Sequence, residues 1–213
     1  MNVSEAEVRG FLARGADASD LLRCQLQYYS PEVVKLLLEE GANPNCFDPE
    51  LPEFTPLYIA VQYNLSPEVI KLLLEAGANP NQEVEYGTLL FFAVHDNLSP
   101  EGIKLLLEAG ADPNQEGKLG TPLFSAVSNN SSPKVIKLLL EAGANPNQEH
   151  EFGTLLSIAV YRELGPEGIR LLLEAGANPN KAHPVHPDVT PLSEARDRGC
   201  SEIVELLIEA GAK

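Results

Sequence analysis

The phrase LLLEAGANPNQE fills residues 72–83, returns with one change as LLLEAGADPNQE from Leu105, and recurs intact from Leu138. Its glycines, Gly77, Gly110, Gly143 and Gly176, stand at a strict interval of 33 residues. A period of this length means one supersecondary unit stacked on copies of itself, because a single unit cannot bury its own apolar face. The interval widens to 36 from Gly41 to Gly77 and to 35 from Gly176 to Gly211. Both increments come mainly from longer segments after the asparagines, CFDPELPEF and KAHPVHPDV, so the extra residues belong to loops.

Each period predicts two helices. Ser66-Pro67 opens the second and Gly77 closes it. Serine suits the N-cap, where its oxygen can accept a free N–H of the first turn. Proline suits the first helical position, and glycine the left-handed position just past the end. The same punctuation recurs at Ser30-Pro31, Ser99-Pro100 and Ser132-Pro133, and in weaker form at Gly165-Pro166. A helix of roughly ten residues is about 15 Å long and marginal alone in water. Its apolar stripe (Val69, Ile70, Leu72, Leu73, Leu74, Ala76) therefore needs neighbours on both sides. Lys71 with Glu75, Lys104 with Glu108, Lys137 with Glu141 and Arg170 with Glu174 predict a charge-balanced outer face of i,i+4 pairs. The first helix opens at a threonine: TPLYIAV at Thr55, TLLFFAV at Thr88, TPLFSAV at Thr121, TLLSIAV at Thr154 and TPLSEAR at Thr190. Leu57 and Ala60 take its buried positions, and segments such as NPNQEVEYG supply turn chemistry between units.

Thr-Pro-Leu-x-x-Ala, a helix ending Leu-Leu-x-x-Gly-Ala, and Asn or Asp soon after, at a period of 33, together resemble the ankyrin-repeat family over nearly the whole chain. Tetratricopeptide and leucine-rich repeats have other signatures. The resemblance implies an all-α ankyrin-repeat solenoid of about six helix-turn-helix units joined by β-hairpin-like loops, with N- and C-terminal caps. Laid on the sequence, this gives one elongated domain over 1–213: a half cap at 1–18, repeats at 19–54, 55–87, 88–120, 121–153 and 154–189, and a capping repeat at 190–213. In the first repeat, Ser19 to Cys24 aligns with the Thr-Pro-Leu-x-x-Ala frame, putting Cys24 at the small buried position. The sequence departs from the family in three ways. Tyr58, Phe91, Phe124, Ser157 and Ser193 replace the usual histidine, so its hydrogen bonds are replaced or lost. Leu89 and Leu155 replace the proline. Glycine directly precedes threonine, as in Gly87-Thr88, with one compensating residue in the loop between helices.

A net charge of −16 argues against nucleic acid as partner, since phosphate backbones are bound by Lys and Arg. No apolar run is long enough for a membrane span, and the opening MNVSEAEVRG is unlike a secretion signal, so a cytoplasmic protein, monomeric by itself, is expected. Cys46 and Cys200 lie several units apart, and reduced thiols fit that compartment. Sites for chemistry are sparse. The carboxylate pairs Glu83/Glu85 and Glu149/Glu151 sit in repeated polar turns and read as a solvated face. His183 and His186 form His-x-x-His, with only Asp188 and His150 as helpers, and read as a structural loop rather than a metal site. Ser125 and Ser157 have no histidine in register. No catalytic residue, metal or cofactor is expected.

The aromatics say more. Of the thirteen Phe and Tyr, all but Phe11 lie on first helices, on the loops just after them, or on the hairpins. In ankyrin-like stacks those parts line a concave surface that typically binds partners. The expected strip is Tyr63, Glu83, Glu85, Tyr86, Phe92, His95, Lys118, Leu119, His150, Glu151, Phe152 and Tyr161. Tyr63, Phe92, His95 and Tyr161 are its exposed candidates, while Phe91 and Phe124 are expected to be packed. The opposing expectation for Tyr86, Leu119 and Phe152, each just before a glycine, is that they pack along the hairpin row. Carboxylates at 48, 50, 53, 83, 85, 116, 149, 151 and 188 share this side with Lys118 and Lys181 alone among cations. The function implied is non-catalytic binding of another protein with a basic contact surface, by association that slows as salt rises. An acidic immunity or antitoxin protein that neutralises a basic toxin or nuclease is the alternative.

Overall fold

The computed structural model describes residues 3–47, 49–150, 153–183, 186 and 188–213. Two compact units divide the chain, Met1–Asp112 and Pro113–Lys213. The first begins with a single helix, α1 (Glu5–Ala13), and continues as three helix pairs: α2 (Ala18–Gln25) with α3 (Pro31–Glu39), α4 (Pro56–Gln62) with α5 (Pro67–Glu75), and α6 (Leu89–His95) with α7 (Pro100–Glu108). A 3₁₀ turn, Leu26–Tyr28, extends α2, and a hairpin of β1 (Glu83–Val84) and β2 (Gly87–Thr88) precedes α6. The second unit repeats the plan: α8 (Pro122–Ser128) with α9 (Pro133–Glu141), α10 (Leu155–Tyr161) with α11 (Pro166–Glu174), and α12 (Pro191–Asp197) with α13 (Ser201–Glu209). Its hairpin, β3 (Glu149–His150) with β4 (Gly153–Thr154), precedes α10. This is the mostly helical repeat fold expected, with strands only as short hairpins among the described residues.

First helices pack on first helices and second on second: α4 on α6, and α3 on α5 on α7, in the first unit; α8 on α10 on α12, and α9 on α11 on α13, in the second. Leu57, Ile70, Leu73, Leu90, Ile103 and Leu106 are wholly buried in the first, and Leu123, Ile136, Leu139, Leu156, Ile169 and Leu172 repeat them in the second. Each contributes about 1.5–3 kcal/mol of burial. Volume is exchanged within this scheme. Leu98 lies over Gly102, where an added Cβ would meet it at 2.9 Å, and Leu164 lies over Gly168 at 2.7 Å. Where Ser131 stands in place of leucine, Val135 stands in place of glycine.

The five threonines cap as expected. Each hydroxyl oxygen accepts the backbone N–H three residues on, at Tyr58, Phe91, Phe124, Ser157 and Ser193. Thus the backbone at the altered histidine position is held whatever the side chain. The serines behave differently. Only Ser99, among those opening the second helices, accepts such a bond, from Gly102. Ser30, Ser66 and Ser132 make no side-chain cap. The Ser30 hydroxyl is spent on Glu32, which holds that carboxyl below its usual range.

Two more expectations change. Cys24 is exposed. The true N-cap of α2 is Asp17, two residues before Ser19, and its carboxylate accepts the N–H groups of Asp20 and Ser19. Leu22 and Leu26 consequently fill the core. Arg170 reaches back to Glu167 at 3.9 Å instead of forward to Glu174, so a glutamate N-terminal to the cation is used. The lysine pairs form, at 4.0 Å for Lys71–Glu75, 3.6 Å for Lys104–Glu108 and 3.8 Å for Lys137–Glu141. The glycines after the second helices are left-handed as expected, and the first helices end in Asn64, Asn97, Asn130 and Glu163, also at positive φ. All three cysteines are free thiols. Burial pushes the Cys46 thiol up to about 11, and it donates to the carbonyl of Ser19.

Candidate functional site

The hairpins are positioned by asparagine. In each Asn-Pro-Asn, and in Asp112-Pro113-Asn114, the last asparagine reads the helix end of the following repeat with both ends of its amide. Asn81 donates from Nδ2 to the carbonyl of Gly110 at 2.9 Å and accepts the N–H of Asp112 at 2.7 Å. Asn45 does the same to Gly77 and Asn79 in the first unit. In the second unit Asn114 engages Gly143 and Asn145, Asn147 engages Gly176 and Asn178, and Asn180 engages Gly211 and Lys213. The carbonyls so used are among those a helix leaves unpaired at its C-terminal end. A second clamp adds to the first: the Gln82 amide bonds both the Thr55 hydroxyl and the Glu53 carbonyl.

On this frame the first unit presents Glu83 at the base of its hairpin and Glu85 and Tyr86 at the tip, all exposed. Tyr86 is 48% exposed, which speaks against a packed role, and its hydroxyl donates to Glu85, raising its pKa. Tyr63, at the end of α4, is 56% exposed. Phe92 is half-buried, edge-on to the buried Phe91 at 5.5 Å and beside His95 at 6.4 Å. His95 is exposed and tied by Nδ1 to Asp96 at 2.9 Å. Of the expected residues in this unit, Phe92 and His95 are thus brought into contact, while Tyr63 and Tyr86 project outward.

In the second unit Lys118 and Leu119 are exposed between Gly117 and Gly120, which bridge through paired backbone hydrogen bonds. Gly120 has φ +105, and a Cβ there would lie 2.8 Å from Phe124, so no other residue fits. His150 stacks flat on half-buried Phe124, centroids 3.9 Å apart. Tyr161 is 59% exposed, with the guanidinium of Arg198 over its ring at 4.4 Å. Arg198 is itself bound to Glu194 and lies 3.6 Å from Glu163, and the Glu194 contact foremost raises its pKa. His150 and Tyr161 are therefore each engaged by a residue outside the expected set. Glu151 and Phe152 lie outside the described residues. Lys181 is bound to Glu149 at 2.9 Å and to the Asn147 carbonyl, so it neutralises one of the carboxylates of this edge.

A feature absent from the sequence reading is a cavity of about 590 Å³ in the second unit. Phe124, Ile158, Tyr161 and Val189 give it apolar walls, and Ser128, Arg162, His183, His186 and Glu194 give it polar ones. Its lining spans residues 124 to 194, so no local pattern announces it. A more open, polar hollow of about 400 Å³ lies in the first unit beside Glu53, Gln82 and Glu83. Among the described residues no group of three His, Cys, Asp or Glu side chains could hold a metal ion, and no helix is long and apolar enough to cross a membrane.

A family model described as ankyrin repeats in three copies matches residues 21–117, 90–183 and 123–213. No curated protein matches the sequence. Among solved structures, an ankyrin repeat domain from Acinetobacter baumannii AYE is 28% identical, with a TM-score of 0.75, over 96% of this chain and 100% of that one. The ankyrin repeat domain of Bcl-3, a member of the IkappaB protein family, is 27% identical with a TM-score of 0.72, over 93% and 87%. That of human ASB11 is 25% identical with a TM-score of 0.68, over 93% and 85%.

Proposed function

Because the chain belongs to the ankyrin-repeat family, whose repeats are generally protein–protein interaction modules, we propose that it is a non-catalytic binder of another protein. The contact surface in this reading is the hairpin and first-helix side of its repeats. The observation that carries it is the outward projection of Tyr63 and Tyr86 in the first unit and Tyr161 in the second. Large aromatic side chains left in water at the ends of rigid elements are the typical anchors of an interface. The second helices offer a contrast, since their exposed charges are largely consumed by pairs within the same helix. Glu83, Glu85 and Glu116 on the hairpin side are exposed, so the partner presents a basic surface and is steered to this side. That steering weakens with salt, because the screening length shrinks from about 10 Å at 0.1 M to about 3 Å at 1 M.

Affinity capture with the chain as bait, followed by quantified rebinding, tests the proposal. Tyr63→Ala combined with Tyr86→Ala lowers affinity for the captured protein at least tenfold while the melting temperature stays within about a degree, since neither side chain is in the core. Binding unchanged by the pair, or a large loss of stability in its place, would count against this face.

A further inference from the structure

The cavity of the second unit is a local exception to the acidity of the chain. Glu194 is the carboxylate among its described lining residues, and it is already held by Arg198. Among the remaining polar groups Arg162 is the fixed cation, and the serine hydroxyls can donate. Arg162 is exposed at the end of α10, and no described carboxylate pairs with it. The Ser128 hydroxyl oxygen is buried with no hydrogen-bond partner among the described residues. A buried hydroxyl in that condition marks a missing acceptor or donor, since native structures leave few of them. His183 accepts the N–H of His186 at Nδ1, 3.2 Å away, which holds the ring against the cavity wall. Against these donors stand the faces of Phe124 and Tyr161 and the aliphatic side chains of Ile158 and Val189.

We propose that this cavity is a recognition pocket for a partner peptide segment in which a large apolar side chain lies next to a carboxylate. The apolar group fills the space between Phe124, Ile158, Tyr161 and Val189, and the carboxylate meets Arg162 with the Ser128 hydroxyl as a further donor. The volume lies in the range of pockets that enclose ligands of a few hundred Å³. A charged ligand in such a site draws on charge-assisted hydrogen bonds, which are about twice as strong as neutral ones. Arg198 is part of the pocket in an indirect way: by neutralising Glu194 and covering one face of Tyr161 it keeps the site from repelling an anion. The inference rests on the protein-binding reading and sharpens it. The acidic hairpins select a basic surface, and this pocket selects the one apolar-acidic segment that aligns it. The carboxylate can come from a chain terminus or from an acidic side chain.

Three probes separate these sources on the isotope-labelled full chain, followed by backbone NMR shifts: N-acetyl-Leu-Phe with a free carboxylate, its C-terminal amide, and N-acetyl-Asp-Phe-amide. The expected result is shifts at the cavity residues and binding of one or both acids about tenfold tighter than the neutral amide. Whichever acid shows the preference identifies the source. Arg162→Gln removes the preference, Tyr161→Ala weakens all three probes, and Tyr63→Ala in the first unit changes none. Equal binding of acids and amide, an Arg162→Gln chain with the preference intact, or shifts outside the cavity would overturn the proposal. A full-length partner that binds wild type and Arg162→Gln equally would keep protein binding and remove this pocket from it.

Discussion

Glu163 sits at φ +58, where its counterparts are Asn64, Asn97, Asn130 and Gly199, all at positive φ too. Asparagine and glycine tolerate the left-handed region, whereas a longer side chain carries a penalty of roughly 1–2 kcal/mol there. The one contact that offsets it is the 3.6 Å approach to Arg198, and Glu163 is 77% exposed. An exposed ion pair of this kind is worth about 0–1 kcal/mol. Relief of strain therefore outweighs the lost pair. Glu163→Gly stabilises the protein by about 0.5–1 kcal/mol, a rise of about 2 °C in melting temperature for a chain of this size. A fall in melting temperature would show that the Arg198 contact is the larger effect. Ser131 is the other residue out of pattern. It replaces a leucine, and its hydroxyl is buried without a partner among the described residues.

At the scale of the element, repetition is enforced by what one asparagine side chain does. A helix ending in Gly exposes its last carbonyls and N–H groups in a fixed arrangement, and a single amide from the preceding repeat satisfies one of each. The sequence keeps Leu-Leu-Leu-Glu-Ala-Gly-Ala and Asn-Pro-Asn in strict spacing because the two meet across the repeat junction. Asn114→Ala removes the bonds to the Gly143 carbonyl and the Asn145 N–H, 2.8 and 2.7 Å long. Water reaches this edge and replaces them in part, so the cost is about 1–2 kcal/mol, read as a lower midpoint in urea with little change in slope. An unchanged midpoint would mean that helix packing alone sets the junction. The helix pairs were legible because an apolar stripe and its end signals lie within a dozen residues. The start of the first repeat was not. It lacks Thr-Pro, and both Asp17 and Ser19 are competent caps; the choice falls on Asp17, which turns Leu22 inward and leaves Cys24 in water. The serine caps were overread for a related reason: Pro at the first helical position already removes one unpaired N–H, so the hydroxyl is free to bond elsewhere, as Ser30 does with Glu32.

For the molecule as a whole, charge and aromatic side chains are sorted by face. The second helices α5, α7 and α9 each carry a Lys–Glu pair, and from residue 31 on no second helix has an aromatic residue. Hairpins and first-helix ends carry the exposed tyrosines and the carboxylates that outnumber their cations. Exposure of Tyr63 and Tyr161 could be expected from the repeat register, since these positions differ from unit to unit where the core does not, whereas the sequence left Tyr86 open between exposure and packing, and Phe92, expected exposed, is half-buried. The cavity beside Tyr161 could not, because Ser128, Arg162 and His183 come together only through packing across successive repeats of the second unit. The central claim concerns a face, and hydrogen–deuterium exchange of the chain with and without its captured partner reads faces directly. Binding through the hairpin side predicts slowed exchange at the amides of residues 83–88 and 117–120 and at the last turns of α4, α6 and α10, with α5, α7, α9 and α11 unchanged. Protection confined to α5, α7, α9 and α11 would contradict the account.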